Sequence, residues 1–201
     1  TPPLVFPRPA FEVGLPLPSL LFAIPIALSG ATAPIPLETA LRASQAVTAI
    51  LGALLCVLAW RLAADVAAER AMDPGRARTL AIGTGLTAAV YLPLLLHAVQ
   101  PDSTILFGVL AVGACLLMTR VLRDPRGARL LDPRLVALGL LVGAAALTRN
   151  EALWVAMVWA WLAIRRSASP LPERLRLIGV VAVVSLLVFA PWAARDWAVF
   201  G

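Results

Sequence analysis

The stretch from Arg134 to Arg165, RLVALGLLVGAAALTRNEALWVAMVWAWLAIR, decides how this chain is read. Thirteen uncharged, mostly aliphatic residues precede Thr148 (135–147), and thirteen more follow Glu151 (152–164). Between them stand Arg149, Asn150 and Glu151. Read as one helix, residues 135–164 run about 45 Å at about 1.5 Å per residue. Fitting that length into a hydrocarbon core of about 30 Å needs a tilt of about 48°, beyond the usual range of about 0–40°. It also leaves two charges near the bilayer centre, where each costs about 2.5–3.5 kcal/mol. Two short helices joined at 148–151 avoid both penalties, with Arg134, Arg165 and Arg166 snorkelling at the far ends. The expectation is a hairpin whose turn is recessed in a protein-lined or watery cavity.

The rest of the chain agrees with a membrane setting. Of its 201 residues, 61% are hydrophobic and only 14% charged, against about 25% charged in soluble domains. Mean hydropathy is +0.90. Uncharged runs of spanning length recur at Ala43–Trp60, Thr79–Leu96, Ser103–Thr119 and Leu177–Ala194. With the hairpin these make six spans, and 13 of the 17 arginines then fall on one side, in 61–78, 120–134 and 165–176. The positive-inside rule labels that side cytoplasmic. A single helix would put the last four opposite the first nine, so the parity favours the hairpin. The basic balance therefore reads as membrane orientation, and nucleic acid is not an expected partner.

The proline-rich segment 1–37 is expected outside the cytoplasm, with an interfacial helix from about Ser19 to Leu28, ahead of a six-span bundle in 38–201. Trp60, Trp159 and Trp161 fall at the cytoplasmic boundary and Trp192 and Trp197 at the outer one, as an aromatic belt would. Cys56 and Cys115 lie inside apolar runs and read as small buried side chains. The fold class is thus all-α, a polytopic transmembrane bundle in one domain. No signal peptide is evident, and the chain reads as part of a longer protein.

The outward side gathers Arg8, Glu12, Glu38, Arg42, His97, Gln100, Asp102, Arg149, Asn150, Glu151, Arg195 and Asp196. Asp102 can be a helix N-cap, a carboxylate facing a substrate, or both. His97, the sole histidine, lies a little over one turn before it. Arg149 and Glu151 can pair in a wet turn or contact a substrate. Arg42 and Arg195 can snorkel or bind. Arginines beside carboxylates suit a phosphate-bearing substrate, since guanidinium holds phosphate bidentately and a carboxylate can act as base.

The run Gly139–Leu153, GLLVGAAALTRNEAL, resembles the signature of polyprenyl-phosphate-sugar glycosyltransferases of the GT-C fold. Among these it is most similar to protein mannosyltransferases, aminoarabinose transferases and lipopolysaccharide-core galacturonosyltransferases. Pro16–Gly30, Ala40–Ala46, His97–Phe107 and Pro191–Gly201 resemble further segments of that family in the same order, with Asp196 where the family has Asn. The resemblance implies a GT-C-like bundle in a bacterial inner membrane, its active site facing outward. It implies a polyprenyl-phosphate-linked sugar as donor, a lipid, glycan or protein as acceptor, and membrane lipids as surroundings. It fixes no cofactor and leaves room for a divalent metal.

Carried onto this chain, Asp102 would contact the sugar or position the acceptor as the catalytic candidate. Arg149 and Arg195 would neutralise the leaving phosphate, and Glu151, Arg42 and His97 would support the substrate. The family's first transmembrane helix and its acidic loop lie upstream of the segments matched here, so the chain reads as an N-terminal-half fragment without the main base. Two other classes fit the same residues: a transporter or flippase of a lipid-linked or anionic substrate, and a non-catalytic membrane assembly subunit.

Overall fold

A computed structural model describes residues 18, 21, 23, 24, 27, 37–99, 102–123, 132–166 and 169–200. Among the described residues from 37 onward, seven helices carry the fold: α1 (Leu37–Glu69), α2 (Pro74–Val90), α3 (Leu92–Val99), α4 (Ser103–Arg123), α5 (Pro133–Ala146), α6 (Ala152–Arg166) and α7 (Leu171–Phe200). No strand occurs among the described residues. Alanine and leucine, among the strongest helix formers, dominate α1. Two Asp-Pro pairs start helices in the same way. Asp73 accepts the N–H groups of Gly75 and Arg76 ahead of Pro74, and Asp132 accepts that of Arg134 ahead of Pro133. The carboxylate satisfies free donors while proline occupies a position whose N–H has no helical partner.

The 135–164 run forms two helices, with the break at 147–151 where the polar triplet predicted it. Thr148 is buried there and donates its hydroxyl to the Ala144 carbonyl at 2.9 Å. Beside this hairpin, α7 runs parallel to α5 at close range. A Cβ built on Gly139 would lie 2.6 Å from Val184 Cβ, and one on Gly143 would lie 2.7 Å from Val188 Cβ. Only glycine allows that approach, and Ser185 fastens it by donating to the carbonyls of Gly139 and Val181 at 3.0 and 2.7 Å. The core joins α4 to this trio through Met118, Val121, Leu135, Leu138, Val142, Trp159, Leu177 and Val181. On the other flank of α4, α1 packs against α2, α3 and α4. Buried Thr48 of α1 donates to the Ala98 carbonyl of α3 at 2.7 Å.

Among the described residues three helices are long and apolar enough to cross a membrane: Glu38–Glu69, Ser103–Arg123 and Leu171–Val199. Large apolar side chains cover the outside, among them Ile50, Leu86, Val90, Leu153, Trp154 and Leu187. A surface of that kind belongs in lipid, and the chain is a helical integral membrane protein by this criterion. The remaining pieces are shorter than expected. The run Thr79–Leu96 is not one straight span: α2 stops at Tyr91, which is extended (φ −70°, ψ 107°), and α3 leaves at a 53° bend. Pro93 explains the break, because its ring and missing N–H cannot continue the hydrogen-bond ladder of α2. The helices α5 and α6, of 14 and 15 residues, are the short legs that the hairpin required.

Two further expectations change. Trp159, placed with Trp60 and Trp161 in the aromatic belt, is instead 1% exposed inside the bundle, while Trp60 and Trp161 are exposed. Both cysteines are free and half-buried. Most of the expected Ser19–Leu28 helix lies outside the described residues, although Leu21, Ala23, Ile24 and Ala27 are helical.

Candidate functional site

Three contacts sort the loops into two ends. Thr48 meets Ala98, Arg149 meets Thr104 (3.0 Å), and α5 keeps a parallel register with α7. The start of α1, the end of α3 with the start of α4, the 147–151 turn and the last turns of α7 therefore share one end. Continuing the α5–α7 register puts Asn150 about level with residues 192–195. At the opposite end lie the 69–74 turn, the end of α4 and the start of α5, and the junction of α6 with α7, where Arg174 donates to the carbonyls of Ile164 and Ser169. This end is the arginine-rich one.

At the first end, residues far apart in sequence form one connected cluster. Asp102 stands just ahead of α4 and does two things at once. Its Oδ1 accepts the Thr104 N–H at 2.8 Å, capping the helix, and its Oδ2 lies 2.5 Å from Nδ1 of His97 in the last turn of α3. Two such atoms at that separation require a proton between them. Thr104 then accepts from an Nη of Arg149, whose Nε and other Nη donate to Glu151 at 3.2 and 2.7 Å. The Glu151 carboxylate holds the Arg149 guanidinium above its ordinary pKa, with the field of Asp102 adding to it. Reciprocally, the hydrogen bond from Arg149 holds Glu151 below the usual carboxylate range. Three of the five guanidinium N–H groups are used in these bonds, which leaves two to meet an anion. All four charged or titratable side chains remain partly exposed.

Of the six residues singled out from sequence, four meet here: His97, Asp102, Arg149 and Glu151. Arg42 does not join them. It pairs across one helical turn with Glu38 at 2.6 Å, and both side chains are about three-quarters exposed. Arg195 is exposed on α7 and makes no hydrogen bond or ion pair among the described residues. Arg8, Glu12 and Gln100 lie outside the described residues. Thr104, the link between the two pairs, was missed; nothing in its local sequence separates it from any helix-start threonine.

Next to the cluster, an apolar groove of about 460 Å³ runs between α5, α6 and α7. Arg149 and Asn150 stand at its polar mouth, and Val142, Ala156, Trp159, Val181 and Phe189 are among the residues that line it. Phe189 is in tilted contact with Trp192, ring centroids 5.3 Å apart. Among the described residues no three His, Cys, Asp or Glu side chains gather as metal ligands would. Comparison with known protein families, curated proteins and solved structures finds no match for this chain.

Proposed function

We propose that this chain is part of an integral membrane glycosyltransferase of GT-C type that moves a sugar from a polyprenyl-phosphate donor to an acceptor outside the cytoplasm. The observation that carries this reading is the joining of a proton-holding pair, His97–Asp102, to a guanidinium with spare donors, Arg149, beside an apolar groove. A lipid-linked sugar phosphate needs those functions together. Its tail stays in the apolar phase, its leaving phosphate needs a fixed positive charge, and its sugar and acceptor need to be held in contact. On this reading six passes cross the membrane: α1, the bent α2–α3 pair, α4, the two legs of the hairpin, and α7. The arginine-rich end faces the cytoplasm.

Asp102, oriented by His97, contacts the sugar or positions the acceptor hydroxyl. Arg149 neutralises the departing phosphate, with Glu151 fixing its plane, while Arg195 and Arg42 stand at the margin. The test is transfer by the full-length protein in proteoliposomes, using a radiolabelled polyprenyl-phosphate sugar. Asp102→Asn and Arg149→Ala are each expected to lower transfer at least about tenfold, or about 1.4 kcal/mol of barrier. Wild-type turnover in both, at normal expression, removes these residues from the site.

One observation favours a second reading. The 53° break between α2 and α3, two residues before Pro93, is the kind of interrupted helix that transporters use around a substrate. A flippase would move the lipid-linked substrate across liposomes without forming any glycosidic bond, which the same vesicles can detect.

A further inference from the structure

The last turns of α1, α4 and α6 all lie at the arginine-rich end, and α4 packs against both of the others. A cleft of about 550 Å³ opens among the three. Arg70 and Arg123 line it together with Glu69 and Thr119, while Val66, Leu122 and Leu162 supply an aliphatic wall. The arginines at this end are not equally engaged. Arg61 and Arg120 are paired with Asp65. Arg123 gives one N–H, of the five a guanidinium carries, to the Asp65 carbonyl. Arg70, just past the end of α1, is exposed, and its guanidinium makes no hydrogen bond or ion pair among the described residues. Glu69, the carboxylate in the lining, has a partner of its own. The cleft thus holds unused charged donors from the ends of two helices.

Arginine near a helix C-terminus is ordinary, because it offsets the dipole. Here the cations exceed that need. Arg70, Arg120, Arg123 and Arg165 stand in or just after the three last turns, against the carboxylates of Asp65 and Glu69. That excess is larger than the three helix ends, which contribute roughly half a negative charge each. The depth is that of lipid head groups. Trp161, next to Leu162 on α6, is exposed, and tryptophan in such a setting marks the membrane–water boundary. One turn before Leu162, on the same face, Val158 is exposed too, so apolar surface continues from the cleft along α6.

We propose that this cleft is a site for one anionic phospholipid of the leaflet at this end, its phosphate held between Arg70 and Arg123 and an acyl chain lying along Leu162 and Val158. Guanidinium binds phosphate through charge-assisted hydrogen bonds, and basic pockets between transmembrane helices take anionic head groups in this way. A soluble anion would meet the arginines and leave the aliphatic wall bare. The lipid bridges the ends of α1 and α4, so it adds to the stability of this end. The inference goes beyond the transferase reading and does not depend on it.

The experiment measures binding to the purified full chain in mild detergent by titration and thermal shift. The probes are phosphatidylglycerol, phosphatidylcholine and inorganic phosphate. Phosphatidylglycerol is expected to raise the melting temperature and to bind at least about tenfold tighter than phosphatidylcholine, whose phosphate is offset by its own ammonium. One charge-assisted hydrogen bond supplies that ratio. Arg70→Gln is expected to lower phosphatidylglycerol affinity about tenfold and to leave the lipid-free melting temperature unchanged, since the side chain is exposed and unbonded. Arg78→Gln removes an exposed arginine of α2 outside the cleft and is expected to change neither quantity. Millimolar inorganic phosphate is expected not to displace the lipid. Equal affinity of the wild type for the two lipids overturns the proposal, as does no lipid binding at all. Equal losses from Arg70→Gln and Arg78→Gln overturn it by showing attraction to the net charge instead of a site. Displacement by inorganic phosphate overturns it by making the cleft a soluble-anion site. The wild-type lipid comparison needs no variant, so a folding defect in either substitution leaves it decisive. Because no transfer is read, failure here and failure of the glycosyltransferase reading are separate results.

Discussion

The two ends of the bundle use the same residue types to opposite effect. At the arginine-rich end two carboxylates, Asp65 and Asp132, are enclosed and occupied. Asp65, its side chain only 10% exposed, lies 3.4 Å from Arg120 and 3.5 Å from Arg61, while Arg123 donates to its carbonyl oxygen. Asp132 caps α5 and is gripped by the Arg134 guanidinium. A cleft there, lined by Glu69, Arg70, Thr119 and Arg123, lies among charges of both signs. At the other end the pairs are open to the outside, the guanidinium of Arg149 keeps unused donors, and an apolar groove begins at its side. An ion pair closed on itself holds helices together, whereas one with spare donors can meet a ligand. The difference separates a stability device from a candidate site more clearly than charge count does.

The largest effect is expected where the two ends are mechanically joined. Gly143 sets both the α5–α7 contact and the height at which α5 delivers Arg149. A methyl group there meets the Ser185 carbonyl at 2.9 Å, so Gly143→Ala should cost about 1–3 kcal/mol of stability. If the proposed transferase reading holds, it should also lower transfer by displacing the turn, and the transfer outcomes that follow rest on the same reading. An unchanged melting temperature would mean that the helices can part freely and that the register does not fix the cluster. Arg149→Ala should do the reverse of a core change. Its pair with Glu151 is half exposed, so stability should move by no more than about 1 kcal/mol, while transfer falls at least about tenfold. Equal losses in both would place Arg149 with the structural arginines of the opposite end.

Acid should separate the ends next. The hydrogen bond from Arg134 holds Asp132 below the usual carboxylate range, so its folded pKa lies under its unfolded one of about 3.9. Its stabilisation is complete above the unfolded value and is lost as pH falls through the folded one. Asp132→Ala should therefore cost about 1 kcal/mol at neutral pH, as the loss of an N-cap does. It should also flatten the acid limb of the stability profile below about pH 4. Glu151 is depressed in the same direction by Arg149 but stands in solvent, so Glu151→Gln should leave that limb nearly unchanged. A larger change from Glu151→Gln than from Asp132→Ala would reverse the assignment of the ends.

What sequence revealed of all this divides along a physical line. The break at 148–151 was legible because charges in an apolar run are costly wherever the helix faces. Rotation was not legible. A soluble helix declares its inner face by a polar stripe on the other, but α5, α6 and α7 are apolar on lipid and core sides alike. Hence Trp159 was read as a boundary residue when it lies inside the bundle, and nothing marked Thr104 as the residue facing Arg149. Asp65 could have been found, since Arg61 precedes it by four residues just past the uncharged run Ala43–Trp60. Its second arginine, 55 positions away, depends on how α1 and α4 pack. The kink at Tyr91 had a visible cause in Pro93, but hydropathy alone runs straight through it.

The smallest predicted effect lies in the turn that closes the arginine-rich end. Ala71 takes a left-handed conformation, φ 48°, just past the end of α1. The next residue's N–H there returns to the Ala67 carbonyl at 3.1 Å, the wrap-around bond that usually calls for glycine. Alanine is strained at that φ because its Cβ crowds the following carbonyl, and glycine removes the clash at the cost of a more flexible unfolded chain. The balance favours Ala71→Gly by about 0.5–1 kcal/mol, read as a small rise in melting temperature. Transfer should stay at the wild-type level, because the turn lies at the end opposite the Asp102–Arg149 cluster. A fall in melting temperature would show that the turn does not hold the left-handed form. A change in transfer would show that the closed end and the open end are coupled, and that their division into stability and function is too sharp.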